Sequence, residues 1–408
     1  MKHKIIFIAF ITLVMMGCKE TFETKSFPKL LTLDTVDSDS TGATIRCEVL
    51  NIGTSTTTSF GFLWSQEEDP TLDNSYKIVV GTVVSDSGFV GKIDQLFYKD
   101  TVYHIRAFAT FGDKTVYGNA VSVKSNGCKM TWSKMLSNVT LFDEGYPFGS
   151  SNNLKGYVMF QFGVSYSYDP VLNKFSSSEK YPANVVSLER FTSVKVDDYQ
   201  YLYNGASLDI YKLSDGKWSF ISNVSSELKA DIWSKIHHNL TDFGFSYQNN
   251  LYLLNEEYSF VYHPDMDTWE KLANYPSTIL FKIVAGATLS GKAYLLNTNK
   301  DIQVYDAASN QWTKKTTYPG TVNGHVVSFS YNNKIYFGLD TSSDSNDVRI
   351  WSYDPDADIW NELESIPGKV TFSKRFYFNL NGNIYIGYGN ADKYDLYKLD
   401  LSKLESKR

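Results

Sequence analysis

Short runs of alternating apolar and polar residues fill this chain from residue 29 to its end. In ATIRCEVL, residues 43–50, Ala43, Ile45, Cys47 and Val49 take one face, and Thr44, Arg46 and Glu48 take the other. A period of two is that of a strand with one buried face. In LFYKDTVYHIRAFATFGDKTVYGNAVSV, residues 96–123, Tyr103, Ile105, Ala107 and Ala109 alternate with His104, Arg106, Phe108 and Thr110. A Gly-Asp pair at 112–113 then predicts a hairpin turn into the next strand. His104 and Arg106 read as solvated residues of the outer face.

From residue 129 the pattern repeats. Tyr168 precedes Phe175 by seven residues, and the same spacing joins Tyr211 to Trp218, Tyr262 to Trp269, Tyr305 to Trp312 and Tyr353 to Trp360. A sixth copy, Tyr397 and Leu404, lacks the second aromatic. Upstream of each pair a further tyrosine sits in an apolar run, at 157, 201, 252, 294, 336 and 385, with successive copies 42 to 51 residues apart. Such a period is that of a four-stranded unit that cannot bury both faces alone and must stack on its neighbours. The first tyrosine then marks the second strand, the second tyrosine the third, and the aromatic seven residues on the fourth. The stretches between them, DPDAD, HPDMD and DAASN, are turn formers, because Asp and Asn side chains bond their own backbone and Pro fixes φ. Each indole is expected to be buried against the neighbouring sheet, removing roughly 150–250 Å² from water. TWSKML at 131–136 carries Trp132 and resembles a fourth strand without the three before it, so it is expected to complete the last unit and seal the two chain ends together.

The amino terminus follows another pattern. MKHKIIFIAFITLVMMGCKE has Lys2 and Lys4 ahead of an apolar run from Ile5 to Met16, followed by Gly17-Cys18. The run is short of the ~20 residues a membrane span needs and matches a signal peptide. A small residue before a cysteine resembles the lipobox of bacterial lipoproteins, with Met15 where leucine is usual. That resemblance implies cleavage after residue 17, acylation of Cys18, a polar tether over 18–28, and anchoring in the outer membrane of a Gram-negative bacterium, facing the periplasm or the cell exterior. Lys19 and the acids Glu20 and Glu23 agree with that address.

Composition narrows the partners. Charged residues make up 21% of the 408, and the formal net charge is −6, so no basic excess is available to neutralise nucleic-acid phosphates. The 15% aromatic content, with 29 tyrosines and 26 phenylalanines, suits pleated sheet. Three cysteines, Cys18, Cys47 and Cys128, cannot make a disulfide framework. Cys47 reads as a small buried hydrophobe, with pairing to Cys128 as the alternative.

Two resemblances follow from these motifs. The spacing of Phe97 and Tyr103, with the alternation after it, resembles the tyrosine corner of fibronectin type III modules, which implies a spacer or docking sandwich over 29–126. The Tyr-to-Trp spacing resembles the kelch repeat, without its double glycine: the second strands end YLYNG, YLLNE, YLLNT, YFGLD and YIGYG. That resemblance implies a six-bladed β-propeller over 129–408, so the chain is expected to be all-β throughout.

In a propeller the first strands line a central channel. Counting back eleven from each second-strand tyrosine selects Tyr146, Arg190, Thr241, Ile283, His325 and Lys374, with Arg375 adjacent. This polar and aromatic ring is the candidate site for a glycan or a surface protein ligand, and no cofactor is expected. Some kelch proteins are copper radical oxidases, but no cysteine lies inside these repeats, and His237, His238, His263 and His325 lack metal-ligand spacing. The enzymatic alternative is a cofactor-free mutarotase or epimerase acting on sialic acid or a related sugar, built from Arg190, Glu189, Lys374 and Arg375. No constellation that would carry catalysis stands out, so non-catalytic binding is the expectation.

Overall fold

The computed structural model describes residues 26–403, apart from 36, 40–41, 83–84, 128–130, 143–146, 153, 161–162, 179, 181–190, 206, 215–216, 227, 230–241, 277–281, 323–325, 341–348, 364–365 and 367–373. Cys18 and Cys128 lie outside the described residues. The chain is all-β, built of antiparallel four-stranded sheets. No helix among the described residues is long and apolar enough to cross a membrane. Two compact units emerge, one comprising the chain through Asp37 with 44–93 and 102–123, the other 38–43, 94–101 and 124–408.

The strands up to residue 124, most of them in the first unit, are β1 (Lys29–Thr32), β2 (Asp37–Asp39), β3 (Gly42–Asn51), β4 (Ser59–Ser65), β5 (Tyr76–Gly81), β6 (Phe89–Asp94), β7 (Val102–Phe111) and β8 (Lys114–Lys124). One sheet pairs β1, β2 and β6 with β3, and the other runs β5-β4-β7-β8. The alternation read from 43–50 holds, with Ala43, Ile45 and Cys47 buried and Arg46 and Glu48 exposed. Phe97 and Tyr103 are both core residues. Thr32 of β1 stitches toward the other sheet: its hydroxyl accepts the Ala107 N–H at 3.0 Å, and its backbone N–H donates to Asn119 Oδ1 at 2.9 Å. Gly112 takes φ +61° at the β7–β8 turn, a conformation that favours glycine. Cys47 is a free thiol, pushed up to about 12 by burial. His104 and Arg106 are half-buried and not simply solvated. The His104 ring bonds Ser122 Oγ at 3.1 Å, and Arg106 Nε donates to the Gly118 carbonyl at 2.6 Å while its guanidinium covers the Tyr117 ring. Alternation gives the face of a residue but does not reveal that the neighbouring strand offers it partners.

In the second unit β9 (Trp132–Thr140) is followed by sheet I, β10–β13 (Phe148–Ser151, Gly156–Met159, Ser165–Asp169, Lys174–Ser177), and sheet II, β14–β17 (Phe191–Val196, Tyr199–Asn204, Asp209–Ser214, Lys217–Asn223). Sheet III is β18–β21 (Phe243–Tyr247, Asn250–Leu254, Ser259–His263, Thr268–Lys271), and sheet IV is β22–β25 (Ile283–Leu289, Lys292–Asn297, Asp301–Asp306, Gln311–Thr317). Sheet V is β26–β29 (Val327–Tyr331, Lys334–Gly338, Ile350–Asp354, Ile359–Leu363), and sheet VI begins with β30–β32 (Lys374–Leu380, Asn383–Asn390, Lys393–Asp400). Sheets I to V each pair in simple chain order, whereas sheet VI reads β30-β31-β32-β9. Its fourth strand is therefore the one that opens the unit, with Trp132 opposite Leu399 and only 1% exposed. Lys134 Nζ reaches Asp395 at 3.1 Å and holds the same junction.

The repeated tyrosine is explained by its turn. In sheets I, III, IV and V the third-strand tyrosine sits directly opposite the aromatic residue seven positions on. Its hydroxyl donates to the Asn or Asp five positions on: Asn173 at 2.9 Å, Asp267 at 3.0 Å, Asn310 at 2.9 Å and Asp358 at 2.6 Å. Those four residues all have φ between +48° and +56°, a region that Asn and Asp tolerate best after glycine. At the start of the bend Asp169, Asp306 and Asp354 each accept two backbone N–H groups. Sheet II departs from this pattern. Its third and fourth strands pair closer to the turn, Ser214 opposite Lys217, which sets Trp218 opposite Leu213 and Tyr211 opposite Phe220, and the Tyr211 hydroxyl faces Asp209 instead.

The two members of the motif pair are buried unequally, the indoles less completely than the sequence suggests. The tyrosines Tyr168, Tyr262, Tyr305 and Tyr353 are fully buried, while Trp218, Trp269, Trp312 and Trp360 are half-buried. The tryptophans lie on the outermost strand, so one ring edge stays in water while the other covers the preceding sheet. Trp269 joins the cluster of Val194, Tyr201 and Tyr203 in sheet II, and Trp312 Nε1 donates to the Ala273 carbonyl at 2.9 Å.

Candidate functional site

The first strands of the six sheets touch one another in succession. Ser150 and Ser193 hydroxyls meet at 2.8 Å, Gly244 N donates to Thr192 Oγ1 at 3.0 Å, and Gly286 lies against the Phe243 ring. Ser328 Oγ donates to the Gly286 carbonyl at 2.6 Å and lies 3.5 Å from the Tyr377 hydroxyl, and Ser151 Oγ donates to the Asn379 carbonyl. The succession thus runs from sheet I to sheet VI and back to sheet I.

The register shows how tightly these strands approach. Each second-strand tyrosine pairs with one first-strand residue: Ser150, Val194, Phe245, Ala287, Phe329 and Phe378. One position earlier stand Gly149, Ser193, Gly244, Gly286, Ser328 and Tyr377, all small but the last. A Cβ on Gly149 would lie 1.9 Å from the Tyr377 carbonyl oxygen, and one on Gly286 would lie 2.5 Å from the Phe243 ring. Glycine is needed there because a neighbouring strand occupies the side-chain space.

Residues of all six first strands, or of the segments leading into them, line a cavity of about 490 Å³, within the roughly 300–1,000 Å³ of small-molecule sites. Phe148, Phe191 and Phe243 give it apolar walls, and Lys195, Lys282 and Arg375 give it positive charge. Asp242 is the single carboxylate among the described lining residues, and its Oδ1 accepts from Asn255 Nδ2 at 2.8 Å and from the Tyr258 hydroxyl at 3.1 Å. Asp242 and Arg375 stand at the same level, each three positions before the tyrosine-paired residue of its strand. Arg375 is half-buried and lines the cavity. Burial draws it below the ordinary guanidinium value, against the opposing influence of Tyr388, Asp340 and Tyr377. Tyr388 beside it is pushed up by burial, partly countered by Arg375.

Of the ring selected from sequence, Ile283 and Arg375 line the cavity. Lys374 is half-buried in β30 and is not among the lining residues. Tyr146, Arg190, Thr241 and His325 lie outside the described residues, as do Glu189, His237 and His238. His263 is held by Asn250 Oδ1 at 2.8 Å, away from the cavity lining. The count from the second-strand tyrosines missed Asp242, Lys282, Lys195, Gln200 and Tyr377. Asp242 and Lys282 are direct neighbours of the selected Thr241 and Ile283, so widening the count by one residue on each side reaches both.

No protein-family model and no curated protein matches this chain.

Proposed function

We propose that residues 129–408 form a six-bladed kelch-type β-propeller, that 29–126 form a fibronectin-III-like spacer, and that the propeller binds a saccharide in its axial cavity without transforming it. The supporting observation is the cavity lined from all six sheets, with glycines and serines where the strands crowd most closely. The β5-β4-β7-β8 sheet facing β1, β3 and β6 supports the spacer reading. In this reading Cys18 carries the acyl anchor that holds the protein in the outer membrane. A saccharide suits the lining because ring hydroxyls meet Ser193, Gln200 and Asn379 while the apolar ring face meets phenylalanines.

The test is a saccharide panel measured by calorimetry and by glycan array on the chain from residue 19 onward. Binding is expected for the wild type and is expected to vanish in Ser193→Trp, which fills the cavity. Binding that persists in the filled variant overturns the axial site. The isomerase alternative makes a different prediction, that the chain speeds anomer exchange on the sugar it binds and that Asp242→Asn, which removes the lining carboxylate, abolishes this. Binding without exchange is the outcome expected here.

A further inference from the structure

The cavity wall contains a cation, Arg375, with no counter-charge in contact among the described residues. Arg375 Nη1 donates to the Leu339 carbonyl at 2.5 Å. Among the described residues that is its one side-chain hydrogen bond, and it forms no ion pair with them. A guanidinium presents five N–H donors in a planar fork, and a buried charge is retained only where something satisfies it. Asp340 acts on it electrostatically without entering ion-pair range.

A second group points the same way. Gln200 is 7% exposed, and its Nε2 donates to Ser193 Oγ at 2.5 Å, which leaves Oε1 buried with no hydrogen-bond partner among the described residues. Both residues line the one cavity. By register Ser193, which holds the Gln200 amide, stands two positions along the strand from the level of Arg375, an offset along the strands of roughly 7 Å at about 3.3 Å per residue.

We propose that the cavity takes a sugar acid, its carboxylate received by the Arg375 fork and a ring hydroxyl donating to Gln200 Oε1. This rests on the saccharide-binding reading above and names its substrate class. A carboxylate matches the planar fork in two parallel hydrogen bonds. Lys195 and Lys282 add positive charge that outweighs Asp242, whose Oδ1 is already bonded. The unpartnered acceptor on Gln200 calls for a hydroxyl donor on the same ligand, which a simple anion lacks.

Calorimetry on the chain from residue 19 onward decides it, with glucuronate, galacturonate and N-acetylneuraminate each set against its methyl ester, and with glucose and glucose 6-phosphate as further probes. At least one free acid is expected to bind roughly tenfold or more tighter than its ester, as a lost charge-assisted hydrogen bond implies. Arg375→Gln is expected to erase that preference, and Gln200→Leu to weaken acid and ester alike. Esters binding as well as acids would overturn the sugar-acid assignment and leave saccharide binding standing. No saccharide binding at all would overturn both. Tighter binding of the sugar phosphate than of every acid would assign the fork to phosphate and overturn the proposal. Should Arg375→Gln not fold, the acid–ester comparison on the wild type decides alone.

Discussion

The outer strands of the second unit repeat one arrangement in four of its six sheets, whereas the inner strands share small residues but repeat no charged one at a fixed position. At the outer edge a buried tyrosine bonds a left-handed Asn or Asp and faces an aromatic residue in sheets I, III, IV and V. At the inner edge the corresponding positions read Gly, Ser, Gly, Gly, Ser and Tyr, and the charged residues Asp242, Lys282 and Arg375 occur once each. Every sheet meets the same demand at its rim, to reverse the chain and cover the preceding neighbour, so one solution recurs. The centre is a single shared space. Six copies of one side chain would either fill it or crowd like charges together, so chemistry concentrates where the repetition stops.

The largest expected effect tests the junction that joins the first strand of the unit to the last sheet. Trp132→Ala removes a fully buried indole from β9 and is expected to cost about 3–5 kcal/mol in urea denaturation. An equivalent truncation of half-buried Trp218 is expected to cost less, because part of its ring already contacts water. Equal losses would mean that β9 is no more critical than any outer strand. Next in size is the inner ring. Gly149→Ala sets a methyl against the Tyr377 carbonyl, where the two strands must separate to admit it, and a cost of about 1–3 kcal/mol is expected. An unchanged denaturation midpoint would show that the inner strands are not packed at their limit.

The rim was legible in the sequence and the centre largely was not. A tyrosine seven residues before an aromatic is visible because it recurs, and the isolated Trp132 could be assigned to sheet VI because a fourth strand was missing there. The buried asparagines at the ends of β15, β19 and β23 were visible only as a departure from the kelch double glycine. Asn255 and Asn297 each accept two backbone N–H groups of the following loop, doing with a side chain what glycine does with backbone freedom. The shifted register of sheet II was missed because Tyr211 and Trp218 keep the usual spacing, although Asp215-Gly216 between the paired Ser214 and Lys217 is a two-residue hairpin signal that the other copies lack. Arg375 was reached only as a neighbour of Lys374, because a count from the second strand fixes a level along the channel and not which way a side chain points.

The smallest expected effect bears directly on the rim motif. Tyr353→Phe removes a hydroxyl that donates to Asp358 Oδ1 at 2.6 Å, and because Asp358 is exposed and can turn to water, a loss of only about 1 kcal/mol is expected at pH 7. Tyr211→Phe, whose hydroxyl lies 3.4 Å from Asp209, is expected to cost less. The pH dependence separates the hydroxyl from simple packing. Burial raises the Tyr353 phenol well above its ordinary value of 10.0, aided by the hydrogen bond to Asp358 and its charge, and burial pushes Tyr275 up to about 12. A phenol raised in the folded state contributes stability that is fully present below the unfolded value near 10 and is lost as pH rises toward the folded one. Wild-type stability is therefore expected to fall steadily above about pH 10, while Tyr353→Phe, which has one buried phenol fewer to ionise on unfolding, falls less steeply. The roughly 1 kcal/mol gap between them should shrink over that range. A gap that stays constant through pH 11 would mean that this hydroxyl ionises as readily in the folded chain as in the unfolded one, and neither its burial nor Asp358 would then hold it protonated.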